Sequence, residues 1–212
     1  MTETGSGSPP LSAQARRGPA AARVDRGRRA QPSGWWGMVL FVCAEVTLFG
    51  TMIGSYFYLD FGARRWPPAP IKAPEVTAPV IVTATLVAFT PVLVLAVRAA
   101  RNGRRWRTVQ WLLLALLVQS GFLAAQIVLF RHDFNQFKPQ SSAYGSIYFT
   151  LLATHDAHVL LGILLDVAVL WKLATRGLSN YWLIGVRGLV LYWYVVNVLA
   201  VVVVLVVLSP SL

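Results

Sequence analysis

Five long apolar runs, separated by short polar and basic segments, dominate the pattern of the chain. A helix that crosses a bilayer needs roughly 20 predominantly apolar residues, and each run approaches or exceeds that length. Pro79 falls in the first turn of the second run and Pro91 in its interior, so we expect a kink at Pro91. The pattern predicts an all-α integral membrane protein with five transmembrane helices, over about residues 35–59, 75–99, 106–130, 144–174 and 183–208.

The composition agrees with this class, since 56% of the residues are hydrophobic and only 13% are charged. A net charge of +11 would suit a nucleic-acid-binding protein. The basic residues lie between the apolar runs instead of along one face, so we interpret them as topology signals and expect no nucleic-acid partner. Cys43 is the only cysteine, which excludes a disulfide framework and a multi-cysteine metal centre.

Residues 1–33 are rich in Ser, Gly, Pro, Ala and Arg, which predicts a disordered basic tail ahead of a membrane domain over residues 34–212. Fourteen of the 19 Lys and Arg residues fall in this tail and in the loops on its side of the membrane. The other five fall in the two opposite loops. The positive-inside rule therefore predicts a cytoplasmic N-terminus and a C-terminus outside.

Three acids lie inside predicted spans, namely Glu45, Asp156 and Asp166. An ionised acid at the bilayer centre costs about 2.5–3.5 kcal/mol on insertion scales. We therefore expect these acids to face the interior of the bundle, water or a polar headgroup. A direct proton relay is one interpretation, and a polar anchor for helix packing or for a lipid headgroup is the favoured one.

The fourth run contains the densest polar cluster, Thr154-His155-Asp156-Ala157-His158. His155 and His158 lie on neighbouring positions of one helical face, and Asp166 returns to almost the same angle three turns later. Imidazole and carboxylate groups are ordinary metal ligands. Glu45 is the only obvious further donor on another span, so we favour hydrogen bonding between helices over a metal site.

The histidines also argue against a haem ligand pair. Both intramembrane histidines share one helix face, the third histidine (His132) is predicted in a loop, and no Cys-x-x-Cys-His motif occurs. We expect no haem, copper or other metal to be bound by this chain.

Asn197 in the last run is expected to hydrogen-bond to a neighbouring helix.

Six short motifs follow one another along residues 34–208. They are Trp36-Gly37-Met38-Val39-Leu40-Phe41 with Glu45 and Phe49, Trp66-Pro67-Pro68, Phe122-Leu123-Ala124-Ala125-Gln126, Tyr144-Gly145-Ser146-Ile147-Tyr148-Phe149, His155-Asp156-Ala157-His158-Val159, and Tyr192-Trp193 with Asn197. Together they resemble subunit III of the haem-copper cytochrome c oxidases, in the five-helix form that lacks the first two helices of the longer version.

The resemblance implies a helix bundle with a cleft that holds phospholipids and a face packed against the catalytic subunit I. It implies a non-catalytic subunit that stabilises subunit I and supports proton uptake, with haem and copper held by partner subunits. The complex would oxidise cytochrome c, reduce oxygen to water and move protons across a prokaryotic plasma membrane. Glu45 matches the intramembrane acid of the cleft, and His155 and His158 match the family's paired histidines.

Several residues depart from the family pattern. Tyr194 and Asn197 stand where the family has His and Asp, Arg187 replaces a glutamate, and Asp156 replaces a glycine. The candidates for the lipid cleft or a proton antechamber are Glu45, His155, His158, Trp36, Asp156 and Arg187, and the candidate packing residues are Gln126, Asn197 and Asp166.

Two alternatives stay open at this point. One is the related accessory subunit of nitric oxide reductase. The other is a small ion or proton transporter that uses Glu45, Asp156 and His158. Transporter folds often contain an internal repeat, and no useful repeat is evident in this sequence.

Overall fold

The computed structural model of the chain describes residues 33–72, 74–176 and 180–211. These residues form helices and connecting turns without any strand, which confirms the all-α prediction. The predicted disordered tail, apart from Ser33, lies outside the described residues. The helices are α1 (Ser33–Gly62), α2 (Thr77–Ala88), α3 (Thr90–Arg101), α4 (Arg105–Gln136), α5 (Ala143–Arg176) and α6 (Asn180–Leu208), with short 3₁₀ turns at Pro139–Ser141 and Ser209–Ser211.

Five helical stretches in the described part of the chain are long and apolar enough to cross a membrane, as the hydrophobic pattern predicts. The second of them consists of α2 and α3 together. The stretches are Trp36–Gly62, Thr77–Arg101, Arg105–Ser141, Ala143–Thr175 and Gly185–Leu208.

The second span is interrupted where the kink is predicted. α2 ends at Ala88 and α3 begins at Thr90, with Pro91 in its first turn. Proline has no backbone N–H and its ring clashes with the carbonyl one turn earlier, so the helix cannot pass through Pro91 unbroken. The Phe89 N–H still donates to the Thr85 carbonyl at 3.2 Å, and the chain restarts its helix at once.

The prediction that His132 lies in a loop is wrong, because α4 continues to Gln136. Residues 131–136 contain neither Gly nor Pro, so nothing in the backbone ends the helix there. Packing also favours the extension, since the rings of Phe130 and Phe134 lie 5.1 and 5.6 Å from the ring of Phe149 on α5. The helix ends only at Phe137, which has extended backbone angles.

The helices pack in a fixed order within residues 41–208. α4 contacts α2, α3 and α5, and α6 contacts α2, α3 and α5. One buried cluster surrounds Trp193 and Leu112, while a second, aromatic cluster contains Phe49, Tyr56 and Tyr144. Phe49 and Tyr56 are at most 1% exposed, so α1 is joined to this second cluster through long side chains.

Candidate functional site

Glu45 of α1 is paired with His158 of α5. The Glu45 Oε2 and His158 Nε2 atoms are 2.7 Å apart, and Glu45 is 7% exposed. His158 Nδ1 lies 2.6 Å from the Thr154 carbonyl oxygen, which only accepts, so this contact requires a proton on Nδ1. Nε2 is then the imidazole nitrogen that faces the Glu45 carboxyl. The partner that an intramembrane acid needs is therefore His158.

Three helices meet at His158. The Tyr192 hydroxyl of α6 donates to the His158 carbonyl oxygen at 2.6 Å. On the α1 side, the Phe49 ring meets the imidazole edge-on at 5.4 Å, and the Phe41 ring lies 5.7 Å from that of Tyr192. The Glu45–His158 pair thus lies where α1, α5 and α6 contact one another.

His155 contacts a different helix. It is 1% exposed, and the Phe122 ring of α4 lies perpendicular to the imidazole at 6.1 Å. Neither ring nitrogen has a hydrogen-bond partner among the described residues. The structure therefore brings His158, but not His155, to Glu45.

Asp166 lies in a buried hydrogen-bonded cluster between α4, α5 and α6, in which its Oδ1 atom has no partner among the described residues. It is fully buried, and the indole N–H of Trp193 donates to its Oδ2 at 2.7 Å. In the orientation that satisfies its amide, Gln119 donates to the same oxygen at 2.7 Å. Sequence reasoning singled out Asp166, named Trp193 only as part of a motif, and missed Gln119. The only signal available was that each is a hydrogen-bond donor inside an apolar run.

Asp156 lies on the opposite side of α5 from His158. It is half-buried, and it lines a cavity of about 180 Å³ together with residues of α4, including Gln126 and Asp133. Its Oδ1 atom is buried and has no hydrogen-bond partner among the described residues. Asp156 therefore belongs to neither the Glu45–His158 pair nor the Asp166 cluster.

The remaining candidates are dispersed. Trp36 is 61% exposed on the first turns of α1, and Arg187 is exposed near the start of α6. Asn197 is buried, and its amide donates to the Thr90 hydroxyl of α3 at 2.9 Å. Gln126 is 7% exposed. In the part of the chain that the structure describes, no group of three or more His, Cys, Asp or Glu residues could hold a metal ion.

A groove runs between α3 and α6 on the side where Asn197 meets Thr90. Its volume is about 730 Å³, and its walls are mainly valine and leucine, including Val94 and Val198. Arg98, the last residue of α3 in the lining, and Tyr194, the first of α6, also line the groove. The groove therefore has an apolar wall about as long as α3 and one positively charged side chain in its lining.

Comparisons with known proteins decide which family these features belong to. The family of cytochrome c oxidase subunit III matches residues 23–209, nearly the whole chain. This chain belongs to that family. Quinol oxidase subunit 3 of Bacillus subtilis is 32% identical over 147 residues, which cover 69% of this chain and 70% of that protein.

Two further relatives agree with the assignment. Cytochrome c oxidase subunit 3 of Bacillus subtilis is 31% identical over 150 residues and 70% of each chain. A probable quinol oxidase subunit 3 of Staphylococcus haemolyticus is 30% identical over 149 residues, which cover 70% of this chain and 73% of that one. The chain is thus a multi-pass membrane subunit of a haem-copper oxidase, and family membership favours this assignment over a transporter.

Proposed function

We propose that this subunit packs against and stabilises the catalytic subunit I of a terminal oxidase in a prokaryotic plasma membrane, with its N-terminus in the cytoplasm. The partner subunits would hold haem and copper, reduce oxygen to water and move protons. The family is named for cytochrome c oxidase, and we propose cytochrome c as the electron donor. Two of the three relatives above are named as quinol oxidases, so oxygen-uptake assays of the purified complex with each donor test this part directly.

The Glu45–His158 pair is the observation that supports a stabilising role. A carboxyl and an imidazole 2.7 Å apart join α1 to α5, and Tyr192 extends the connection to α6. Because both groups lie away from bulk water, each would be left without a partner if the other were removed. We therefore propose that the pair holds α1 in the position that subunit I requires.

We also propose that the α3–α6 groove binds a phospholipid. Arg98 offers a positive charge for an anionic headgroup, and Val94, Val198 and Val201 offer an apolar wall for an acyl chain. From Arg98 to Val87 the helical rise is about 16 Å, which suits most of one acyl chain. Glu45 and His158 bind each other, so they are less suited to hold the headgroup.

The stabilising role is tested with the purified complex carrying Glu45→Ala. We expect the subunit to dissociate in mild detergent and the complex to lose activity several-fold sooner during turnover, because His158 is left without its partner. Asp60→Asn, which removes an acid from the end of the same helix, is the matched control. A haem spectrum and mass spectrometry of the co-purified chains identify the partner. Unchanged subunit content and turnover lifetime in Glu45→Ala would contradict the proposal.

The lipid site is tested by native mass spectrometry of the complex carrying Arg98→Gln. We expect the loss of one tightly bound anionic phospholipid. Arg101→Gln changes a neighbouring exposed arginine that does not line the groove, and it should retain the lipid. Equal lipid content in both variants would exclude Arg98 as the headgroup ligand.

A further inference from the structure

The cavity beside Asp156 is lined by charged residues of the segment before α2 and by residues within the membrane span. Lys72 and Glu75, in the segment before α2, lie at its outer end, and Asp156 lies on its wall well inside α5. From Tyr148, which also lines it, to Asp156 the helical rise is about 12 Å. The cavity therefore reaches from the end of the bundle toward the middle of α5.

The volume and the lining suit water. A volume of about 180 Å³ corresponds to about six water molecules at their share of the liquid. Water enters a cavity when several polar groups can bind it, and those groups here include Gln126, Asp133 and Asp156. Gln126 is only 7% exposed although it carries a full amide. An apolar filling would leave the buried Oδ1 atom of Asp156 without a partner.

Asp156 is the residue in the cavity wall that needs a water molecule or a proton. Its buried Oδ1 has no partner among the described residues. An unpaired carboxylate oxygen in an apolar span is costly, and a water molecule or a proton on the carboxyl relieves that cost. Asp133 differs, because its Oδ2 already accepts a hydrogen bond from the Tyr148 hydroxyl at 2.6 Å.

The charges around the cavity do not neutralise Asp156 by a direct ion pair within the described residues. The α6 wall is apolar, formed by Val204, Val207 and Leu208. The other titratable groups that face the cavity are Lys72 and Glu75 before α2, His132 and Asp133 on α4, and Tyr148 on α5 itself. His132 lies 2.8 Å from the Gln136 amide near the mouth.

We propose that this cavity is a water-filled inlet through which Asp156 exchanges protons with the aqueous phase at the end of the bundle where α4 ends and α5 begins. The site binds water and a proton, and no metal ion is required. It is separate from the Glu45–His158 pair, because positions 156 and 158 are about 160° apart around α5. The inlet can therefore be tested separately from the proposed stabilising role, and the failure of one proposal would leave the other unaffected.

Cysteine labelling of the assembled complex in membrane vesicles tests the inlet. Cys43, the only cysteine, is first replaced in Cys43→Ser. Leu152→Cys then places a thiol on the cavity wall, and Ala153→Cys places one on the exposed surface of α5 at nearly the same depth. Gln140→Cys, in the exposed turn between α4 and α5, marks the side of the membrane at which the inlet opens.

A membrane-impermeant cationic thiol reagent is applied to each face of the vesicles in turn. Only a hydrated thiol ionises and reacts, so Leu152→Cys should react at least about 100-fold faster than Ala153→Cys. It should also react only from the face at which Gln140→Cys reacts. Equal slow rates for both α5 positions, or reaction of Leu152→Cys from the opposite face, would overturn the inlet. Asp156→Cys serves as the second cavity probe if Leu152→Cys fails to assemble.

Infrared spectroscopy of the complex tests the proton itself. We expect a carboxyl C=O band that changes with pH and shifts promptly in D₂O. Asp156→Asn should remove this band, and Glu45→Gln should leave it in place. A spectrum in which Asp156→Asn removes no pH-dependent band would contradict proton exchange at Asp156, whether or not the subunit stabilises its partner.

Discussion

Two acids on α5, ten residues apart, have different surroundings. Asp166 is fully buried, and its Oδ2 accepts hydrogen bonds from Trp193 and, in the satisfied orientation, Gln119. Each acid also has a buried Oδ1 atom without a hydrogen-bond partner among the described residues, and Asp156 lines a cavity large enough for about six waters. The Oδ2 atom of the first acid is held by donors of the protein, and the second acid borders the cavity that we propose to be filled with water.

The difference shows that acids inside membrane spans can have different roles, depending on which groups surround them. Donors fixed on neighbouring helices make Asp166 part of the packing, so its removal leaves those donors unpaired. A mobile solvent adapts to whatever replaces Asp156. The two positions should therefore respond very differently to the same kind of substitution, and the predictions below test that contrast in decreasing order of effect.

The largest effect is expected for Asp166→Ala. The Trp193 N–H and the Gln119 amide would lose their acceptor at a fully buried position, at about 3 kcal/mol of unfolding free energy in total. Unfolding of the purified subunit in mixed micelles, followed by tryptophan fluorescence, measures this loss. Asp166→Asn keeps one acceptor oxygen for Trp193 and should cost less than half as much. Equal losses in the two variants would show that the hydrogen bonds are not the cause.

A smaller effect is expected for Gly162→Ala, one turn from Asp166. A Cβ atom there would lie 2.6 Å from Cζ2 of Trp193 and 2.9 Å from Cε1 of Tyr192. Both rings are rigid and buried, so α5 and α6 must separate, at about 2 kcal/mol of unfolding free energy. Gly121→Ala on α4 meets no atom within 4 Å and should be neutral in the same assay. A neutral Gly162→Ala would mean that the interface around Trp193 is looser than its contacts indicate.

The helix that carries Asp156 and Asp166 could be predicted from the sequence, but the surroundings of the two acids could not. The spans and the break at Pro91 follow from local hydropathy and from the chemistry of proline, so they are visible in one segment at a time. The partners of a side chain depend on which neighbouring helix it meets. His155 and His158 differ by only about 60° around α5, yet this is enough to direct them to α4 and to α1.

The cavity beside Asp156 could not be predicted from the sequence, because it too depends on which helices lie next to one another. Its walls come from four separate parts of the chain, including Lys72, Asp133 and Asp156. His132 joins them because α4 extends past the apolar run on the strength of tertiary contacts by Phe130 and Phe134. A substitution of the family's glycine by Asp156 marked the position as unusual, but only the packing shows that the new carboxyl faces a cavity.

A modest effect is expected at the hydrogen bond between α3 and α6. The Asn197 amide donates to the Thr90 hydroxyl at 2.9 Å, next to the break in the second span. Hydrogen bonds between helices in membranes average about 0.6 kcal/mol, so the coupling energy of a double-mutant cycle with Asn197→Ala and Thr90→Val should be near that value. The same unfolding assay measures it. A coupling near zero would assign Asn197 to the groove wall alone.

The smallest effect is expected for Asp156→Asn, and it is the one that divides the two acids most sharply. If the cavity holds water, the new amide is solvated as well as the carboxyl was, and the unfolding free energy should change by no more than about 0.5 kcal/mol, as at an exposed site. If the cavity is dry and Asp156 is bound to the protein, the loss should approach that of Asp166→Asn. Measuring both variants in one assay therefore compares a solvated carboxyl with a protein-bound one on the same helix. A loss at Asp156 as large as at Asp166 would remove the distinction between them.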